Sequence, residues 1–261
     1  MSPGFNASDD LLRDLARWRT PALGGGIVLL LASFVAAFFA PADFFHGYLI
    51  GFLFWSGLAL GSMAFLMTQY LTGGAWGVVT RRIFESAIST LPLMAALFIP
   101  LLFGLPSLYP WAHPENVKAD ELLQHRSAYM NPPLFVVRAV IYFAIWIAIA
   151  YFLNRWSTQQ DEGTAGRHSL LTRLSAPGLI IYGLTVTFAT VDWAESLHTH
   201  WYSTMWGFLF IASQGLTAMA FVILAAYLLS KRQPMRDVLR PSHFHDLVNL
   251  LLMMVMIWAY F

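Results

Sequence analysis

Residues 186–214, VTFATVDWAESLHTHWYSTMWGFLFIASQ, form an apolar run of membrane-spanning length that carries Asp192 and Glu195 close to its end, meets His198 and His200, and turns apolar again within a few residues. An acidic side chain near the middle of a membrane helix costs about 2.5–3.5 kcal/mol on the insertion scale, so acids placed here mark a candidate functional site. On a continuing helix Asp192, Glu195, Ser196 and Thr199 stand at i, i+3, i+4 and i+7 and line one polar stripe. Such a stripe suits a quinol head group or a proton path: Asp192 or Glu195 accepts a hydroxyl proton, and His198 or His200 passes it outward. The plainer alternative leaves Glu195 and the histidines in the headgroup layer and pairs Asp192 with another helix.

Other polar residues extend the same question. Glu85 opens the third apolar run, Arg138 the fourth and Asp246 the seventh, each near an interface, where a structural ion pair or snorkelling accounts for them as well as a secondary proton path does. His243 and His245 flank Phe244 on the side opposite His198 and His200, so the two HxH pairs do not share one ion, and a single HxH is a weak metal signal. No metal site is assigned. All eight histidines fall in loops or at span edges, which argues against a haem held between facing helices. Zero cysteines exclude disulfides and thiolate-bound iron–sulfur clusters or zinc, so electrons passing through this protein require metal centres on other subunits.

The elements that must position these residues are membrane helices. Of the 261 residues 58% are hydrophobic and 11% charged, and the mean hydropathy is +0.60, well outside a soluble core of this size. A net charge of +1 gives no reason to expect nucleic acid; the lipid bilayer is the expected partner. The expectation is an all-α polytopic bundle with six full spans, near 22–42, 46–71, 83–109, 134–153, 176–197 and 204–229. A seventh begins near Phe244, but its apolar part from Leu247 to Phe261 covers only about 22 Å at 1.5 Å per residue, so it reads as truncated and the chain as a fragment of a longer gene product. Residues 1–20 read as a separate interfacial helix, with Ser8 as N-cap, Asp9 and Asp10 in the first turn and Leu11, Leu12, Leu15 and Trp18 on one face; residues 21–261 form the transmembrane domain.

Lysine and arginine fall unevenly on alternate loops. Twelve lie on one side, at 13, 17, 19, 81, 82, 155, 167, 173, 231, 232, 236 and 240, against Lys118 and Arg126 on the other. This bias predicts a cytoplasmic N-terminus and places Asp192 to His200 at the outer, periplasmic face. In the second span Gly47 with Gly51 and Gly57 with Gly61 are small-xxx-small pairs that let a neighbouring helix come close.

The run DWAESLHTHWYST at 192–204 resembles the DWxxSLxxHWxST signature of the NrfD-like (polysulfide-reductase-type) membrane quinol subunits of Alternative Complex III, closest to the second, ActF-type, subunit. RRIFE at 81–85, PLMAALFIPLLFG at 92–104, LYPW at 108–111, YMNPPLFVVR at 129–138, SAPGLIIYGLTVTFAT at 175–190 and HFHDLVNLLLMMVMIWAY at 243–260 are similar in the same order. The resemblance implies a ten-helix fold of two four-helix bundles and two extra helices, in the bacterial inner membrane. It implies a respiratory assembly that oxidises menaquinol or ubiquinol and passes electrons, through iron–sulfur and c-type cytochrome subunits holding the clusters and haem c, to cytochrome c or a terminal oxidase. The NrfD-like subunit and its sister carry no redox centre, are not catalytic alone, and contribute a quinol site or a proton path. The signature Asp and His fall on Asp192 and His200. Glu195 stands where relatives more often have Met, and His198 and Thr199 replace Glu-Pro or Asp-Pro, departures that favour a proton route over a bound quinol. A structural anchor for peripheral redox subunits and a secondary transporter are the competing expectations.

Overall fold

Apolar runs of about 20 residues give the backbone no polar partner but itself, so each must close its own hydrogen bonds as a helix. A computed structural model describes residues 9–233 and 235–261, and no strand occurs among them. Ser8, expected as an N-cap, lies outside the described residues, as do the side chains of Asp9, Asp10, Leu11 and Ala36. The helices are α1 Asp9–Phe39, α2 Pro41–Thr72, α3 Ala75–Ile88, α4 Leu91–Phe103, α5 Leu105–Leu108, α6 Pro114–Ala119, α7 Glu121–Arg126, α8 Pro132–Asp161, α9 Arg167–Trp193, α10 Trp206–Leu229, α11 Met235–Val238 and α12 Pro241–Tyr260. Single 3-10 turns lie at Pro110–Ala112 and Glu195–Leu197.

Seven of these elements are long and apolar enough to cross a membrane, α3 and α4 together making one span. The protein is therefore an all-helical membrane protein. Its helices outrun the apolar stretches that announce them, because backbone hydrogen bonding continues into the polar layer where hydropathy falls. Two boundaries differ from expectation for that reason. α1 runs unbroken through Pro21, so the N-terminal stretch is continuous with the first span and not a separate interfacial helix. α12 starts at Pro241, where proline suits the first helical turn, and its 20 residues make about 30 Å, so the described helix is longer than the truncated half-span expected from Leu247 onward.

α2 is the centre of the bundle, packed against α1, α3, α4, α9 and α10. Its partners approach closely where glycine permits. A Cβ on Gly61 would stand 2.2 Å from the Gln214 carbonyl oxygen of α10, while Gly47 and Gly51 have open space beside them, so only the Gly57 and Gly61 pair is used for helix contact here. The turn from α2 to α3 needs Gly73 and Gly74, both at positive φ (73° and 110°), a backbone region costly for other residues. α8 and α9 form an antiparallel hairpin whose turn ends at Gly166, and α8 also packs on α4. α12 lies on α10 and α3 at the periphery. The exposed faces of α1 and α12 are apolar, as helices bordered by lipid require.

Candidate functional site

The end of α9 is built to stop. Ala194 leaves helical φ at −117°, the Ser196 hydroxyl donates to the Asp192 carbonyl at 2.5 Å, and the Tyr109 hydroxyl donates to the Trp193 carbonyl at 2.8 Å. Side chains thus satisfy carbonyls that a continuing helix would have used. The polar stripe expected from Asp192 to Thr199 does not form: Asp192 stays in α9, Glu195 starts the 3-10 turn, and His198 to His200 lie in the turn beyond.

Asp192 is 2% exposed and faces α8. Arg138 grips it through two parallel bonds, Nε to Oδ2 at 2.8 Å and Nη2 to Oδ1 at 2.9 Å, and the Tyr142 hydroxyl donates to Oδ2 at 2.9 Å. This is the planar fork that suits a carboxylate. The guanidinium also donates to the Tyr129 carbonyl at 2.8 Å and lies 3.8 Å from the centre of the Tyr129 ring. Burial, and then the Asp192 carboxylate, push the Tyr129 phenol up to about 12, so it stays protonated. Behind Asp192, Trp193 sits in an aromatic nest, its ring centroid 4.9 Å from Phe98 and 5.7 Å from both Phe52 and Phe143. The whole of Asp192 is engaged, and it turns away from the 194–205 segment.

Glu195 is the carboxylate with capacity to spare. It is 8% exposed, and its Oε1 accepts from the Ser203 amide at 2.7 Å while Oε2 accepts from no described residue. It lines a cavity of about 520 Å³ between Thr187, Phe188 and Val191 of α9 and the 125–130 segment, where Arg126, Tyr129 and Met130 form the opposite wall. That size is within the roughly 300–1,000 Å³ range of small-molecule sites. Glu195 is its one carboxylate among the described residues. Phe188 is exposed on the outer face of α9, so one wall meets the lipid-facing surface.

The remaining candidates separate into two groups. Thr199 offers its carbonyl to Arg126 Nη1 at 2.9 Å, and His200, with a side chain 74% exposed, meets Asp120 across 3.0 Å. His198 is exposed and lines both the cavity and an outer cleft of about 740 Å³ shared with His200 and Trp206. Glu85, by contrast, lies about 15 Å into α3 and not at the start of its span, 5% exposed. It accepts from Arg82 at 2.5 Å, from the Ser157 hydroxyl and from the Tyr70 hydroxyl at 3.4 Å, and Arg81 and Arg82 both reach Asp161. His245 and Asp246 are exposed at the start of α12, at the opposite end of the bundle from Asp192, and form no part of this site.

Sequence reasoning missed Tyr129, Tyr142, Arg126, Asp120 and Ser203 as partners. One of the missed relationships had a usable signal: Arg138 and Asp192 are each 27 residues from position 165 in the α8–α9 turn, so an antiparallel hairpin sets them level. The others depend on how loops fold back, which periodicity does not encode. No group of histidine and acidic side chains among the described residues has the arrangement of a metal site. A family described as "Protein of unknown function (DUF1475)" matches residues 117–246, and over that stretch, which holds the cavity walls, both members of the Arg138–Asp192 pair and Glu195, the chain is similar to it. No curated protein matches the chain.

Proposed function

We propose that this protein is a membrane subunit of a quinol-oxidising respiratory assembly, a quinol:cytochrome c oxidoreductase, and that it contributes a quinol site whose proton acceptor is Glu195. The observation that carries the reading is the cavity lined by Glu195: a carboxylate with one oxygen that accepts from no described residue borders a space of ligand size with mainly apolar and aromatic walls, one of them on the lipid side. A quinol reaches such a space from the bilayer, and its hydroxyl needs an acceptor there. Asp192 takes the supporting role of fixing the end of α9 and, through Arg138 and Tyr129, the opposite wall. Electrons leave to metal centres of partner subunits of iron–sulfur and c-type cytochrome class, since this chain has no cysteine. The bias of twelve basic residues against two supports an N-terminus in the bacterial cytoplasm and the cavity on the outer side.

One observation favours the second reading, a structural anchor: the carboxylate of Asp192 is consumed in an ion pair between α9 and α8, and that of Glu85 in a pair within α3 whose arginines also tie α3 to Asp161 of α8. Binding of a fluorescent short-tailed quinol analogue to the purified assembly separates the two. Loss of one binding site in Glu195→Gln, with the assembly intact, supports the quinol site; unchanged binding leaves the anchor.

A further inference from the structure

The turn 198–201 is a partition between two spaces. On one side is the cavity that holds Glu195; on the other is the open cleft bounded by Pro110, His200 and Trp206. His198, Thr199 and Trp201 border both, and of these only His198 has a side chain with two ring nitrogens, one to take up a proton and the other to give one up. We infer that His198 carries protons from Glu195 in the inner cavity to the water of the outer cleft. The inference rests on the quinol reading above and adds the exit route.

Three further observations bear on it. His198 follows Glu195 by a single 3-10 turn, its amide donating to the Glu195 carbonyl at 3.1 Å, so the two side chains emerge from one rigid turn. Neither ring nitrogen of His198 is hydrogen bonded to or ion-paired with a described residue, and the exposed side chain borders the open cleft. His200 is differently placed: its Nε2 is 3.0 Å from Asp120, and it stands in the outer cleft alone, so it receives protons already delivered to water. The charged and titratable groups around His198 are Glu195, His125, Arg126, Tyr129 and Tyr202 on the cavity side and His200 with Asp120 beyond. Arg126 is held by the Thr199 carbonyl, which keeps its charge beside the partition, and Glu195 is the only anion on the cavity side among the described residues.

The hop balances without a redox partner of its own. A hydroxyl proton moves to Glu195 Oε2; the new O–H bond breaks as an N–H bond forms on His198; the imidazolium then gives up the proton on its other nitrogen to water in the outer cleft. Each of the two hydroxyl protons takes this route in turn, and the two electrons of the oxidised hydroxyl compound leave separately to a metal centre of a partner subunit.

The test is oxidation of decylubiquinol by the purified assembly with ferricyanide as acceptor, for Glu195→Gln, His198→Ala and His198→Gln, with and without added imidazole. Expected is a loss of about 100-fold for Glu195→Gln and of at least about 10-fold for both His198 variants. Imidazole in solution restores His198→Ala and leaves Glu195→Gln slow, while binding of the quinol analogue persists in the His198 variants. Normal turnover in Glu195→Gln overturns the quinol reading and the relay with it. Slow Glu195→Gln with normal His198→Ala overturns the relay alone. Slow His198 variants that imidazole does not restore, or that have lost analogue binding, show a positioning role and also overturn it.

Discussion

α8 carries an acid–arginine cluster near each end, made from the same chemistry and wired differently. Near its start, Arg138 and Tyr142 hold the single carboxylate of Asp192 on α9, with each oxygen aligned to a guanidinium nitrogen. Near its end, Asp161 and Ser157 join Arg81, Arg82 and Glu85 of α3, two acids sharing two arginines. The first is a closed pair with no substitute for either member. The second is redundant and less fully paired, with Arg81 Nε and Asn154 Oδ1 buried and lacking hydrogen-bond partners. A buried charge that loses its only counter-ion is far costlier than one that keeps a second. Function follows the same division: neither cluster has an uncommitted carboxylate oxygen, whereas Glu195, one 3-10 turn past Asp192, does.

The largest effect is therefore expected at the closed pair. Asp192→Asn or Arg138→Leu alone lowers stability by about 3–5 kcal/mol, because each leaves the other group buried without its counter-charge. The double variant Asp192→Leu with Arg138→Leu recovers most of that loss, as apolar replacements of both buried partners usually do. Thermal unfolding of the purified protein in detergent reads all three; a double variant no better than the singles would mean that Tyr142 and Tyr129, not the charge pair, hold this corner. At the redundant cluster Glu85→Gln costs less, about 1–3 kcal/mol, because Arg81 and Arg82 keep Asp161. Equal losses at the two clusters would erase the distinction between them.

How much of this was legible in the chain depends on which link is asked for. Seven apolar runs and the basic bias announce the helices, since hydrocarbon permits little else, and Asp192 stands out because an acid in such a run needs a reason. The partner of Asp192 was readable in retrospect from the hairpin symmetry about position 165. The end of α9 was not: Ala194 is a good helix former, and the termination comes from Tyr109, 84 residues away, taking the Trp193 carbonyl. That long-range bond, with the Ser196 hydroxyl on the Asp192 carbonyl, accompanies the break that puts Glu195 off the Asp192 face, so an expected stripe becomes a buried ion pair beside a cavity. His198, which spacing alone gave no reason to prefer, gains its place from the same event.

Glu195→Gln sharpens the contrast between support and chemistry. Its one described bond, from the Ser203 amide to Oε1, is also available to a glutamine oxygen, so stability falls by less than about 1 kcal/mol. Differential scanning of the variant beside Asp192→Asn checks this: a loss as large as that of Asp192→Asn would make Glu195 another structural acid and remove the reason to place chemistry there.

The smallest effect is expected at His200, whose spacing from Asp192 made it as prominent in the sequence as Glu195. Its side chain is 74% exposed, and its contact with Asp120 at 3.0 Å lies in water, where side-chain entropy and screening by salt consume most of the Coulomb attraction. Asp120 loses little when the histidine is gone, because its Oδ1 caps α7 through the Leu122 amide at 2.9 Å. His200→Ala should thus change stability by no more than about 0.5 kcal/mol, and Asp120→Ala by about 1 kcal/mol through the lost cap. Unfolding midpoints of the two variants at low and high salt decide the point. A His200→Ala loss that exceeds that of Asp120→Ala and vanishes at high salt would mean that the histidine ties the 194–205 turn to α7 in earnest, and the outer edge of the cavity would then be held by charge as firmly as its inner edge is held by Arg138.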